Sequence, residues 1–236
     1  MGGAATIFKR EMMGFFYSPI AYVLIAIFLV FSGYFFATIL ALSQQATLSY
    51  SLANTQFILS IIAPIITMKL LSDEVRSGTI EMLMTAPVTD FEVVFGKFLA
   101  AWFLYLVMLA PTLLYVVFLQ WVGQPDMGPV LSSYIGLALM GLMFVSIGLM
   151  MSAFTRSQMI AGISGIVTLV ILFFMGYAAS GTATWYAAAL QYLGTYSHWE
   201  PFTKGMVNTK DILYYVTITA LCLFITVRVV ESRKWR

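Results

Sequence analysis

Long apolar runs separated by short polar segments dominate the chain. A helix that crosses a bilayer needs about 20 apolar residues, and six runs reach that length, at residues 20–42, 52–71, 91–119, 131–154, 159–178 and 212–230. The polar segments between them are too short to fold as separate domains. The pattern therefore predicts an all-α membrane protein with six transmembrane helices, in a single transmembrane domain over residues 1–236.

The residues before the first run have an amphipathic pattern instead. Phe8 and Met12 recur at helical spacing, and Lys9 and Arg10 lie on the opposite side of the same helix. A helix of this kind lies in the headgroup plane rather than across the bilayer. We therefore expect an amphipathic interfacial helix over residues 4–17, leading into the first span.

The composition agrees with a membrane protein. Charged residues make up 9% of the chain and hydrophobic residues 61%, and the mean hydropathy is +0.93, whereas soluble domains carry roughly 25% charged residues. The positive residues are scattered at helix ends rather than gathered on one face, which argues against nucleic-acid binding. Cys222 is the only cysteine, so no intrachain disulfide can form.

The distribution of Lys and Arg predicts the orientation. With a cytoplasmic N-terminus, ten of the twelve Lys and Arg residues lie on the inner side, and only Lys204 and Lys210 lie outside. Inner loops carry the excess of positive charge in most membrane proteins. Both termini and the loop between the second and third spans are therefore expected in the cytoplasm.

That loop contains a charged, helix-forming segment, residues 73–87, for which we expect a short helix at the membrane surface. Thr89 and Glu92 follow it with the spacing of a capping box, which predicts a helix start fixed in angle, and hence a stiff joint to the third span. The segment is placed to contact a partner in water. The alternative is a solvated connector.

The stretch at residues 179–207 is rich in aromatic side chains, which prefer the membrane interface. We expect one or two short re-entrant helices half-sunk in the outer leaflet; the alternative is an aromatic belt that only anchors the fifth and sixth spans. His198 lies in this stretch and is expected to be solvated or to cap a helix. Asn208 is expected to cap the sixth span.

The spans lack the residues that chemistry would need. We find no nucleophile with its base and no metal-ligand set at membrane depth, and the methionines of the fourth span are interpreted as packing residues. The span interiors hold no Asp, Glu or His to carry a coupling ion, and Lys97 is expected to snorkel to the cytoplasmic surface. No phosphate-binding loop occurs, so the energy source is expected in another chain.

Several motifs resemble those of a known family. The run Asp73-Glu74-x-Arg76-Ser77-Gly78-Thr79-Ile80-Glu81-x-Leu83-x-Thr85-x-Pro87, followed by Glu92 and Gly96-Lys97, resembles the coupling region of permease subunits of ABC type-2 exporters. The runs Phe8-Lys9-Arg10-Glu11 and Ser18-Pro19-Ile20-Ala21-Tyr22 resemble the gliding-motility branch of these permeases, with nitrous-oxide-maturation permeases as more distant relatives. The segment His198-x-Glu200-Pro201-Phe202 is similar to the outer loop of that branch.

The resemblance implies a permease subunit of an ATP-binding cassette exporter in the bacterial inner membrane, non-catalytic itself and surrounded by lipid. It implies two permease chains, identical or not, and two ATPase chains that bind ATP and Mg²⁺, with no cofactor in this chain. It also implies that the ATPase contacts a coupling helix, whose expected residues are Asp73, Glu74, Arg76, Ser77, Gly78, Thr79, Glu81, Leu83 and Pro87. The expected outer-loop residues are His198, Glu200, Pro201 and Phe202.

Two other functions stay open at this point. A chain of the same fold could transmit the ATPase stroke to an envelope partner through its outer loop without moving a substrate. An ATP-independent channel or secondary carrier would instead transport by itself. A pathway between two permease chains, lined by apolar residues, would suit amphiphilic cargo better than small ions.

Overall fold

The structure, a computed structural model, describes residues 3–43, 48–78, 88–179 and 185–233. Within these ranges the chain forms helices and no strand. The helices are α1 (Gly3–Tyr17), α2 (Pro19–Ser43), α3 (Ser49–Ser77), α4 (Asp90–Leu109), α5 (Leu113–Val122), α6 (Met127–Phe154), α7 (Gln158–Ala179), α8 (Trp185–Leu193), α9 (Thr195–Thr203) and α10 (Thr209–Ser232).

Six helical segments of the described chain are long and apolar enough to cross a membrane, as the sequence predicts. They are Pro19–Leu42, Tyr50–Ser77, Asp90–Trp121, Met127–Phe154, Gln158–Gly176 and Thr209–Ser232. The third joins α4 and α5 through a single 3₁₀ turn, Ala110–Thr112, that contains Pro111. Because proline lacks the amide hydrogen that a continuous helix needs, the change of helix type falls at this residue.

The second span is longer than its apolar run. α3 continues past Leu71 as far as Ser77 and ends at Gly78, whose φ of 74° is left-handed. Glycine adopts this conformation without the steric cost that a side chain brings, and it commonly terminates helices. The first residues of the 73–87 segment therefore extend the second span as a helix. Residues 79–87 lie outside the described residues.

α3 and α6 form the centre of the bundle. Two thirds of each span's apolar window is buried within the chain, against 11% for α2. Gly141 and Gly148 of α6 face Tyr105 and Thr67 so closely that a Cβ atom at either glycine would overlap them. α7 and α10 complete the bundle around this pair, and α1 lies along α4.

A single hydroxyl group ties α6 to the backbone of α3. Ser152 Oγ accepts hydrogen bonds from the amides of Leu71 at 3.2 Å and Ser72 at 3.0 Å, and it donates to the Met68 carbonyl at 2.8 Å. All three groups are backbone atoms in the last turns of α3. These three hydrogen bonds fix the axial position of α3 relative to α6.

Candidate functional site

Four charged side chains from three helices meet at one end of the bundle. Lys97 of α4 donates to Glu74 Oε1 of α3 at 2.7 Å and to Glu11 Oε1 of α1 at 2.9 Å. Arg10 of α1 contacts the same two carboxylates, at 2.8 Å from Glu11 and 3.1 Å from Glu74. We call these four residues the Lys97 cluster.

The Lys97 cluster is electrically balanced and largely shielded from solvent. It contains two cations and two carboxylates; the Lys97 side chain is 1% exposed and the carboxylates 17%. Burial raises the pKa of Glu11, but the contacts with Lys97 and Arg10 outweigh it, and the pKa lies below its ordinary value. The cluster therefore holds α1, α3 and α4 together while Glu11 is ionised.

The start of α4 brings α1 into position. The predicted capping box is present: Thr89 Oγ1 accepts from the Glu92 amide at 3.2 Å, and Glu92 accepts from the Thr89 amide at 2.9 Å. The other oxygen of Glu92 accepts from the Gly3 amide of α1 at 3.1 Å. Further along, Gly96 lies so close to α1 that a Cβ there would be 2.8 Å from the Ala4 carbonyl. This close approach allows Glu11 to reach Lys97.

Lys97 differs from its sequence interpretation. A snorkelling lysine would end in water, whereas this side chain ends between two carboxylates inside the protein. The ion pairs outweigh hydration here because they satisfy the ammonium group where the helix packing places it.

The expected ATPase-coupling residues lie in different surroundings. Glu74 is engaged in the Lys97 cluster through Oε1, whereas Arg76 has a side chain 69% exposed. Asp73 lies 3.9 Å from Arg76 and accepts a hydrogen bond from Gln158 of α7. Ser77 and Gly78 are exposed at the helix end. Thr79, Glu81, Leu83 and Pro87 lie outside the described residues.

His198 is buried, so the expectation of a solvated histidine is wrong, whereas the alternative of a capping residue agrees with its contact with the Tyr192 carbonyl in the last turn of α8. Its side chain lies 3.9 Å from the Tyr214 ring, stacked on it, and only 4% of the residue is exposed. Nδ1 lies 2.7 Å from Asp211 Oδ1, and Nε2 lies 2.9 Å from the Tyr192 carbonyl. The carbonyl can only accept, so Nε2 carries a hydrogen, and the His198–Asp211 bond needs a second proton on one partner.

This buried pair attaches the short helices to the last span. The stretch after the fifth span contains two short helices, α8 and α9, and His198 lies on α9 while Asp211 lies in the first turn of α10. Asn208 occupies the expected cap position, but its side chain donates to Asp211 Oδ2 at 3.1 Å instead of accepting from the helix. Helices α8 and α9 are thus attached to α10 through His198 and Asp211.

The other residues expected in the outer loop, Glu200, Pro201 and Phe202, lie on α9, where Phe202 packs against α6. Pro201 lies within α9, and the Phe202 ring covers Gly136 of α6, where a Cβ would be 2.8 Å from the ring. The Phe202 carbonyl accepts from Ser132 at 2.6 Å. Glu200 is exposed and accepts from Lys204 at 2.6 Å, and this bond raises the lysine pKa.

The sequence does not predict which side chains pair in the Lys97 cluster or that His198 pairs with Asp211. The amphipathic pattern places Arg10 and Glu11 on an interfacial helix, but it does not predict that Arg10 contacts Glu74 or that Glu11 contacts Lys97. The one available signal was Lys97, a cation about two turns inside an apolar span. Asp211 gave a similar signal at the start of the sixth span.

Comparison with known proteins gives one match over nearly the whole chain. The sequence profile described as ABC-2 family transporter protein matches residues 5–230. No curated protein sequence matches significantly. The match contains the Lys97 cluster, the His198–Asp211 pair, the first five candidate spans and all but the last two residues of the sixth.

Proposed function

The chain belongs to the ABC-2 transporter family, and on that premise we propose that it is the permease subunit of an ATP-binding cassette exporter, working as a dimer with a second permease chain and driven by a separate ATPase subunit. Family membership makes it a multi-pass membrane permease of an ABC system, a component that partners ABC ATPase subunits. The dimer, the export direction and the coupling helix within residues 73–87 are parts of the proposal.

The Lys97 cluster is the observation that carries the coupling proposal. Residues 79–87 connect the end of α3 to the start of α4. The Lys97 cluster joins those two helices to each other and to α1, and the capping box fixes the start of α4. A force applied to residues 79–87 would therefore be transmitted to α1, α3 and α4 together rather than to a single helix end.

The described part of the 73–87 segment offers a contact surface next to this cluster. Arg76 projects into solvent, where it can bind a carboxylate of the ATPase. Among the described residues, nothing lies within 4 Å of a Cβ placed on Gly78, which supports a partner approaching at this point. In the proposal Glu74 anchors the cluster, and Thr79, Glu81, Leu83 and Pro87 continue the contact surface.

The coupling proposal is tested by reconstituting the permease with its ATPase. Gly78→Trp is expected to abolish ATPase stimulation because the indole occupies the partner's space, while the permease still inserts and folds. The matched control is Gly78→Asn, because asparagine tolerates a positive φ and is much smaller. Stimulation that survives the tryptophan would contradict docking at this site.

A charge reversal gives an independent test of the same contact. Arg76→Glu is expected to weaken ATPase association at least tenfold, a loss of about 1.4 kcal/mol. Arg228→Glu is the control, because Arg228 is also an exposed arginine, paired with Glu231 on α10. Equal effects of both substitutions would show a nonspecific charge effect.

Flux measurements in vesicles separate the exporter from the other functions. ATP-dependent movement of an amphiphile supports an exporter. Stimulated ATPase activity without flux, seen only with an envelope partner, supports force transmission. Transport by this chain alone supports a channel or carrier.

A further inference from the structure

Gln56 is a fully buried carboxamide on α3. Neither its side-chain nitrogen nor its oxygen has a hydrogen-bond partner among the described residues. Buried polar groups are normally paired, because leaving them unpaired is costly. Gln56 lies about 27 Å along the helix from Glu74, at 1.5 Å per residue, so it belongs to the opposite end of the bundle from the Lys97 cluster.

Gln56 forms part of the wall of a cleft of about 400 Å³ between α3, α7 and α9. Aromatic rings form another part: Phe57 lies 5.3 Å from Phe173 and 6.2 Å from Phe174, measured between ring centroids. Phe174 is 52% exposed on the outside of the bundle. The cleft is therefore accessible from the side, where a molecule dissolved in the bilayer can enter.

The lining selects an uncharged ligand. None of the described residues that line the cleft is charged; the polar ones are Asn54, Gln56 and Tyr196. A charged group entering it would lose its hydration without gaining a counter-charge. A carboxamide offers both donors and an acceptor, which match a hydroxyl or an amide. The Asn54 nitrogen already donates to the Tyr50 carbonyl at 3.1 Å, so Gln56 is the principal group for a ligand.

We propose that this cleft binds an amphiphile through an uncharged polar part that carries hydroxyl or amide groups. Gln56 exchanges hydrogen bonds with that polar part, and the rings of Phe57 and Phe173 pack against the apolar part. The inference rests on the proposed function and narrows its cargo to neutral amphiphiles that enter from the bilayer.

Photolabelling of the purified full-length permease in nanodiscs, prepared without maltoside detergents and without ATPase, tests the binding. The probe is an alkyl maltoside with a diazirine in its alkyl chain, and the comparison probe is an alkyl phosphate with the same chain. The maltoside is expected to label peptides of α3 and α7 saturably, in competition with dodecyl maltoside. The phosphate is expected to bind at least tenfold more weakly.

Substitution of the carboxamide tests its role. Gln56→Leu is expected to weaken maltoside labelling about tenfold, and Gln56→Met, with an unbranched side chain, serves as a second variant if the first does not fold. Gln120→Leu is the matched control, because Gln120 is exposed at the end of α5. Labelling that is equal in the wild type and the Gln56 variants, or equal for both probes, would overturn the proposal.

Thermal stability distinguishes a binding role from a structural one. Without ligand, Gln56→Leu is expected to raise the unfolding temperature, because it removes an unpaired buried amide, and Gln120→Leu is expected to leave it unchanged. A clear fall for Gln56→Leu would mean that the carboxamide supports the fold, against the proposal. Because both measurements use the permease alone, their failure leaves ATPase coupling intact, and a failure of coupling leaves labelling unaffected.

Discussion

Lys97→Met is expected to lower the free energy of unfolding by about 3 to 5 kcal/mol. Methionine is close to lysine in length, so packing around the stem is largely preserved and the loss is electrostatic. The substitution leaves Glu11 and Glu74 facing each other with only Arg10 as counter-charge. The Lys97 cluster then changes from neutral to a net charge of −1.

The magnitude follows from the geometry. Lys97 lies 2.7 and 2.9 Å from its two carboxylates, and at an effective dielectric constant of 20 each attraction is about 6 kcal/mol. Desolvating the ammonium and the carboxylates offsets most of this gain. Removing Lys97 is therefore expected to cost about 3 to 5 kcal/mol rather than the full attraction. This cost arises because the buried carboxylates keep only one counter-charge.

The double variant provides the decisive comparison. Lys97→Met combined with Glu74→Gln restores neutrality, since Arg10 and Glu11 remain, and should be about 2 kcal/mol more stable than the sum of the single effects predicts. Reversible unfolding in mixed micelles, followed by tryptophan fluorescence, measures all three variants. Arg228→Met, in an exposed ion pair, should cost less than about 1 kcal/mol. Additive effects, or a Lys97 loss as small as that of Arg228, would refute the reasoning.

Three further predictions follow from buried contacts. The folded-state pKa of Glu11 is lowered, so its stabilising contribution is present above the ordinary pKa of 4.5 and is lost as the pH falls. Glu11→Gln should thus be less stable than the wild type above pH 4.5. In unfolding titrations, the stabilities of the two proteins should converge below that pH. Asp211→Asn should cost under about 1 kcal/mol, since an amide can still bond to neutral His198, whereas Asp211→Leu should cost about 3 kcal/mol and expose α8 and α9 to proteolysis. Gly141→Ala should cost about 1 to 3 kcal/mol by overpacking. Gly14→Ala should be neutral or stabilising, because none of the described residues lies within 4 Å of its Cβ.

Each of these predictions has an opposing outcome. Parallel pH profiles for the wild type and the Glu11 variant would show that this carboxylate is not stabilised by the fold. Equal losses for the Asn and Leu variants at position 211 would show that a charge, rather than a hydrogen bond, holds α9. Equal effects of the two alanine substitutions would argue against the close contact between α4 and α6.

The spans could be predicted from hydropathy because a bilayer imposes its thickness on the sequence. The capping box at Thr89 could also be predicted, since its groups lie within four residues. The end of α3 could not be placed, because hydropathy falls at Leu71 whereas the helix ends only where Gly78 changes the backbone. Charge marks the membrane boundary but does not mark the end of a helix.

The Lys97 cluster and the His198–Asp211 pair depend on contacts that no local sequence pattern predicts. Glu11 and Lys97 are 86 positions apart, and only the packing of α1 along α4 brings them together. The position of His198 between two spans predicts exposure, but its ring stacks on Tyr214 and contacts Asp211, both on α10, and these contacts bury it. Gln56 follows Asn54 and Thr55 in a polar stretch near the start of the second span, and only the cleft beside it distinguishes it from a polar residue on a packed face.

The Ser152 hydroxyl fixes the rotation of α3 about its own axis relative to α6. Any sliding or rotation of α3 against α6 would break three hydrogen bonds to its backbone at once. The two helices are therefore expected to move together as a rigid body. Under the proposed function, a displacement of α3 at Glu74 would then tilt the whole helix and so move the distant Gln56 carboxamide. A single-residue insertion in α3 between these positions would turn one end by about 100° relative to the other and put the two sites out of alignment without removing any of their side chains.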